Sequence, residues 1–279
     1  MLLARLEVRP KPGVERGMVE HRAGSYISCL FRQGQAIGDE LSCWVDGEFH
    51  NYVRLNGADA LDRAYHSDSA VRQLQLLGEI GEFSWSRVGD PETADADWQD
   101  AAALYLAPSK FVPVRALPSG DAVPVYKLPL SHQERDEVVM WGRRAHLFDD
   151  VWLVSGSLEL AAFAELASPT SYLSAGGREL AEAVEKATGK PTYYWLMRVY
   201  TADAEGEATR PCPGCGRPLE PSPWGGGDYM SVRCKTCRLL TGIGDVSNTE
   251  GPEEAKIGAW DPEVGREYPS QATRWLDDD

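Results

Sequence analysis

Stretches with period-two apolar spacing alternate with stretches of helical spacing through residues 1–203, and two Cys-x-x-Cys pairs follow them. The alternation predicts an α+β fold, a mixed sheet-and-helix body. The paired cysteines predict a small metal-clamped module after that body. A packed core is well supplied, since 43% of the 279 residues are hydrophobic and nine Trp and eleven Tyr are among them.

The elements follow in order. Leu6 and Val8 alternate with Arg5, Glu7 and Arg9, which marks a half-buried strand, and Pro10, Pro12 and Gly13 end it. A second strand is expected at residues 25–31. Residues 41–45 and 49–55 flank Asp46-Gly47, the pattern of a hairpin with a type I′ turn, and Asn56-Gly57 closes it. Residues 59–77 read as a helix, with Val71, Leu74 and Leu77 on one side and Gly78 as its stop. Residues 83–86 return as a strand. Residues 90–100, with Asp95, Asp97 and Asp100, read as a solvated acidic loop.

Residues 103–106 are short and apolar, and the proline-rich 111–130 suits edge strands or extended loop. Residues 138–141 form an apolar run ahead of a helix over 143–154, and 158–166 is helical in composition. The clearest helix comes next. Ser171 or Ser174 caps it, Leu180, Val184 and Ala187 line one face, and Gly189 with Pro191 stops it. Residues 192–200 form a bulky strand, and 203–209 a linker. The expected domains are therefore a body over 1–203, a cysteine module over 204–248, and an acidic tail over 249–279 that carries Trp260 and Trp275.

Cys212-Pro213-Gly214-Cys215 and Cys234-Lys235-Thr236-Cys237 sit about eighteen residues apart, inside the window of a four-cysteine zinc site. Two residues between thiolates let one tight turn aim both sulfurs at a single ion. Gly216 allows the positive φ such a knuckle needs, and Pro213 pre-sets the turn. After Trp224 the run Gly225-Gly226-Gly227 reverses the chain, and residues 229–233 extend into the second knuckle. The expectation is a zinc ribbon. Four sulfurs leave no open position, so one structural Zn²⁺ is expected rather than a catalytic one. Similar knuckles also hold iron in rubredoxin-like sites; the ligand type favours zinc.

Two disulfides would need an oxidising compartment. Charges interrupt the N-terminal apolar run, so no signal peptide is read there, and no stretch approaches the roughly eighteen apolar residues of a membrane span. A cytoplasmic protein is the expectation. Cys29 and Cys43 are expected as buried core thiols.

Arg217, Arg233, Lys235 and Arg238, with Arg210, make the cysteine module a basic island in a chain of net charge −15. Trp224 and Tyr229 are candidates for base stacking. The acidic total opposes long duplex DNA, which leaves single-stranded nucleic acid or structured RNA as the ligands of that reading. The same cations would equally offset the −2 charge of zinc with four thiolates. The competing reading is a protein-interaction module, an adaptor or toxin-neutralising immunity-type protein, whose acidic surface suits a basic partner. For an enzyme the sequence offers no Gly-x-Ser-x-Gly elbow, phosphate loop or His-Glu-x-x-His pair. His146 near Asp149 and Asp150 reads as an incidental pair on a solvated helix. No catalytic residue is nominated.

An ordered set of segments carries a resemblance. It comprises residues 123–129, Ser171-Tyr172-Leu173-Ser174 with Gly177-Arg178-Glu179-Leu180, residues 188–194, 212–216 and 233–239. Together they resemble an uncharacterised bacterial family, domain of unknown function 2310, over about residues 100–248. The resemblance implies a cytoplasmic, zinc-ribbon-containing protein with a nucleic-acid-binding role, and it carries no established reaction.

Overall fold

The computed structural model describes residues 1–89, 96–201, 203–224, 230–245 and 254–261. The chain divides into two units, residues 1–97 with 122–140, and residues 98–121 with 141–279.

The first unit is built on four antiparallel strands in the order β2-β3-β1-β4. They are β1 (Leu2–Pro10), β2 (Ala36–Val45), β3 (Glu48–Leu55) and β4 (Gly81–Arg87), interleaved with α1 (Arg16–Arg32) and α2 (Asp68–Ile80). This is the split β-α-β-β-α-β arrangement. In β1, Leu2, Ala4, Leu6 and Val8 are buried beneath the helices, and the alternate residues turn to the other face, as the period-two spacing requires. The β2–β3 turn has φ of 49° at Asp46 and 84° at Gly47, the positive pair of a type I′ turn.

The strand expected at residues 25–31 is instead the second half of α1. Val19, Ala23, Tyr26, Ile27 and Leu30 are all buried at helical spacing, and this stripe overrides the local aromatic and branched composition. α2 starts at Asp68, nine residues later than expected at 59, behind the Ser67 cap that accepts from the Ala70 amide at 3.2 Å. It runs past Gly78 and stops at Gly81. There β4 presses on β1 so closely that a Cβ on Gly81 would sit 2.6 Å from the Arg9 carbonyl oxygen. Cys29 is half-buried on α1. Cys43 is exposed on β2, contrary to its expected place in the core, because β2 is an edge strand.

The second unit carries a six-stranded sheet in the order β6-β5-β7-β10-β9-β8. β5 (Ala103–Leu106) pairs with the edge strand β6 (Val114–Leu117), and β5 and β7 (Thr192–Leu196) run parallel. The run at 138–141 and the helix expected over 143–154 are one helix, α3 (His132–Val154), opened by a reciprocal Ser131–Glu134 box. Gly142 does not break it, because the missing side chain admits Pro113. α4 (Glu159–Ala167) follows. α5 (Tyr172–Thr188) is capped by Ser171 and closed by Gly189 at φ 69°, as its sequence predicts.

Three short strands complete that sheet: β8 (Glu220–Pro221), β9 (Val232–Cys234) and β10 (Leu239–Thr241). β9 runs antiparallel to both β8 and β10, and β10 lies parallel to β7. The boundary expected near residue 203 therefore falls inside one unit, between two strands that pair. Residues 203–209 are not bare linker: they hold α6 (Ala204–Glu207), capped by Asp203.

Candidate metal centre

Two turns bring the sulfurs together. In the first, the Gly214 amide donates to Cys212 Sγ at 3.4 Å, the Gly216 amide to the Cys212 carbonyl at 2.9 Å, and the Cys212 amide to the Arg217 carbonyl at 2.7 Å. In the second, the Cys237 amide donates to Cys234 Sγ at 3.4 Å. Amides aimed at sulfur favour the thiolate form that a metal needs. The residue after each second cysteine has positive φ, 70° at Gly216 and 51° at Arg238. The sequence anticipates this at the glycine and hides it at the arginine.

All four Sγ atoms lie within 4.8 Å of one another, and Cys215 and Cys234 are 3.7 Å apart. A zinc tetrahedron with Zn–S bonds of about 2.3 Å has sulfur–sulfur edges of about 3.8 Å, so the donor set fits the ion. Cys212 and Cys234 are buried, and Cys215 and Cys237 are half-buried. Without a cation the sulfurs must share protons. Hydrogen bonds from Cys212 and then Cys237 pull Cys234 well below the usual thiol range, while the Cys234 contact pushes Cys212 up and the contacts with Cys212 and then Cys234 push Cys237 up. Four thiolates at this spacing need a central positive charge. Among the described residues this is the group of metal-ligating side chains close enough to hold an ion.

Most of the basic residues around the cysteines are already engaged. Arg238 makes a two-pronged bond to Glu185 on α5, at 2.9 and 2.7 Å, and this holds its left-handed backbone. Its guanidinium also lies 5.6 Å from the Tyr193 ring centre. Lys235 pairs with Glu220 at 2.8 Å. Arg233 lies 4.7 Å from the centre of the Trp224 ring, which meets Tyr193 edge-on. Arg217 donates to the Thr236 hydroxyl at 3.0 Å and so crosses from one knuckle to the other. Trp224 is half-buried against the cluster of Ala103, Tyr105, Leu117, Tyr193 and Leu240, where it covers one sheet face. Tyr229 lies outside the described residues.

A buried ionic cluster beneath the first knuckle is absent from the sequence expectations. Glu207, 3% exposed, accepts from Arg198 Nε and Nη2 at 3.0 and 2.8 Å and from the Gly244 amide at 3.0 Å. Arg210 pairs with the same carboxylate at 2.8 Å and donates to the Thr241 hydroxyl and the Gly242 carbonyl. Burial pushes the Glu207 carboxyl up, but the Arg198 bonds, the Gly244 amide and the two guanidinium charges more than offset it, to about 2. Charged residues in 203–210 resemble a solvated linker by composition, and only their spacing around an apolar-poor helix turn hinted otherwise. The pair of His146 and Asp150, 3.6 Å apart, sits on α3 as an i,i+4 contact. Among the described residues no helix is long and apolar enough to cross a membrane.

Comparisons with known proteins reach as far as a family. The model of a domain of unknown function, DUF2310, matches residues 96–197, ending ahead of the cysteines. An uncharacterised protein of Haemophilus influenzae is 30% identical over 228 residues, 75% of this chain and 85% of its own. A second uncharacterised protein of that organism is 30% identical over 174 residues, 61% of this chain and 81% of its own. A solved structure, SnoaB, a cofactor-independent oxygenase from Streptomyces nogalater, matches 33% of this chain and 92% of its own. At 14% identity and a TM-score of 0.25, that likeness is too slight to bear on fold or chemistry. With relatives covered over most of their length, the chain belongs to an uncharacterised bacterial protein family that carries the DUF2310 domain.

Proposed function

We propose that Cys212, Cys215, Cys234 and Cys237 hold one structural zinc ion, making residues 204–248 a zinc ribbon built onto the edge of a larger sheet. The observation that supports it is the convergence of four sulfurs on a tetrahedron of the right size. A closed four-sulfur shell leaves no position for substrate, so the ion stabilises rather than reacts. Binding energies of such sites are on the order of 10–16 kcal/mol, enough to fix the short strands β8, β9 and β10 that cannot hold themselves. The reading places the protein in a reducing, cytoplasmic setting. The test is elemental analysis of the purified chain. One zinc per chain is expected, falling to none in Cys215→Ser; iron would show instead as visible charge-transfer absorption.

For the ribbon's partner, the engaged state of the cations favours a protein over nucleic acid. A phosphate would have to displace Glu185 from Arg238 and Glu220 from Lys235 before either could contact it. The net charge of −15 points to a basic protein as the partner class. Titration with single-stranded DNA and RNA pools at about 50 mM salt tests this. Contacts through Arg217, Arg233, Lys235 and Arg238 would give a log-affinity slope against log salt of about −3, abolished when all four become Gln. That outcome would restore the nucleic-acid reading.

A further inference from the structure

Resting on the zinc reading above, we infer that residues 255–261 form a strap that closes the metal centre and controls how fast competing ligands reach it. In sequence this stretch belongs to an acidic tail whose two tryptophans suggest that it docks, without saying where. Three separate contacts seat it.

The first is Arg198, just beyond β7 and 6% exposed. One side of its guanidinium is spent on Glu207, and Nη1 donates to the carbonyls of Ala255 at 3.2 Å and Ile257 at 2.9 Å. A buried cation committed to two strap carbonyls is costly to leave unpaired, so the strap is tied to the ionic cluster. That cluster continues through Glu207 to Arg210, two residues before Cys212. The second contact is Gly258. Its φ is 73°, and a Cβ there would sit 2.5 Å from the Ala167 carbonyl oxygen at the end of α4. Only glycine lets the strap lie that close to the helix end.

The third contact is at the first knuckle. The indole of Trp260 packs on Gly216, where a Cβ would meet ring atoms Cε2 and Cζ2 at 2.8 Å. Gly216 thus does two jobs: it turns the chain at positive φ and it leaves room for the ring. The covered turn is the one whose amides bond Cys212. Thiolate-bound metal leaves when a competing ligand attacks it, so a ring over the knuckle slows that approach without being a ligand. Arg198 and Trp260 hold the strap at its two ends, the second against the knuckle that carries Cys212 and Cys215.

The test uses the full-length, zinc-loaded protein with Trp260→Ala, Trp260→Phe and Gly258→Ala. Gly258→Ala lifts the strap from α4 at a point removed from the sulfurs. Zinc content is measured first, then the rate of transfer to excess 4-(2-pyridylazo)resorcinol. The expected result is one zinc per chain in every variant, release at least tenfold faster in Trp260→Ala and Gly258→Ala, and near wild-type release in Trp260→Phe. Release within twofold of wild type in both disruptive variants overturns the strap. If wild type itself carries no zinc, the zinc reading fails on its own. The strap is then read from the maleimide labelling rate of Cys215 in the metal-free chain: tenfold faster labelling in Trp260→Ala and Gly258→Ala supports it, and an unchanged rate overturns it.

Discussion

Replacing Glu207 by Gln should cost the second unit about 3 kcal/mol at neutral pH, and the cost should disappear in acid. The carboxylate is 3% exposed and sits between two arginines. Its pKa moves from an ordinary 4.5 to about 2, and at 1.36 kcal/mol per unit this is about 3 kcal/mol of stability. Gln keeps the shape but not the charge, so Arg198 and Arg210 remain buried around a neutral amide, a loss of the same order. A depressed carboxylate pKa stabilises the fold above the unfolded value, near 4.5, and that contribution drains away as pH falls towards 2. Hydrogen exchange read by mass spectrometry over residues 204–212 and 239–244 reports the local opening. The variant should exchange about a hundredfold faster than wild type at pH 7, with the gap closing between pH 4.5 and 2. Comparing the two proteins at each pH cancels the acid release of any bound metal common to both. A gap below about 1 kcal/mol at pH 7, or one that does not shrink in acid, would refute the charge argument.

Three other outcomes are expected. Arg238→Ala loses the Glu185 pair, a half-exposed bond contributing about 0.5 kcal/mol after solvent screening, and keeps the left-handed strain. Arg238→Gly loses the same pair but relieves strain of about 1 kcal/mol, so urea unfolding should rank Gly at or above Ala; the reverse order would mean that the positive φ carries no cost. Gly177→Ala drives a Cβ into Tyr194 and within 2.8 Å of Trp141, and should lower stability by about 1–3 kcal/mol, with a Tm equal to wild type counting against that packing. A chain ending at residue 203 strips β10 from β7 and leaves a buried strand as an open edge, so it should aggregate; a soluble, cooperatively folding fragment would instead favour the boundary expected at that residue.

The sequence was legible where local chemistry decides the structure. Asp46-Gly47 specifies its turn, Ser171 and Gly189 bracket α5, and the cysteine spacing brings four sulfurs to one point. It was opaque where distant residues decide. Residues 25–31 look like a strand until Val19 and Ala23 are included in the helical stripe they complete. Glu207 gives no such signal, because composition cannot tell a solvated charge from one clasped by Arg198, and that difference rests on contacts spanning 37 residues, Gly244 to Glu207, and 57 residues, Ala255 to Arg198.

The basic island follows from the same reasoning. Four cations near a four-cysteine site suggest an anion-binding surface when they are counted as charges. Once their partners are known, Arg238 and Lys235 are each matched by a carboxylate, and Arg233 is laid over a tryptophan. Glu185 reaches Arg238 from α5, and Tyr193, whose ring lies under the Arg238 guanidinium, belongs to β7, so these contacts join the second knuckle to that helix and strand. A cation used this way fixes where β10 begins, since the Tyr194 amide bonds the Arg238 carbonyl at 2.7 Å as the parallel pairing starts. The arrangement therefore couples the metal site to the sheet. If the four cysteines hold an ion, its removal should loosen β10 from β7 at the residue that carries both the ladder's first bond and the Glu185 pair.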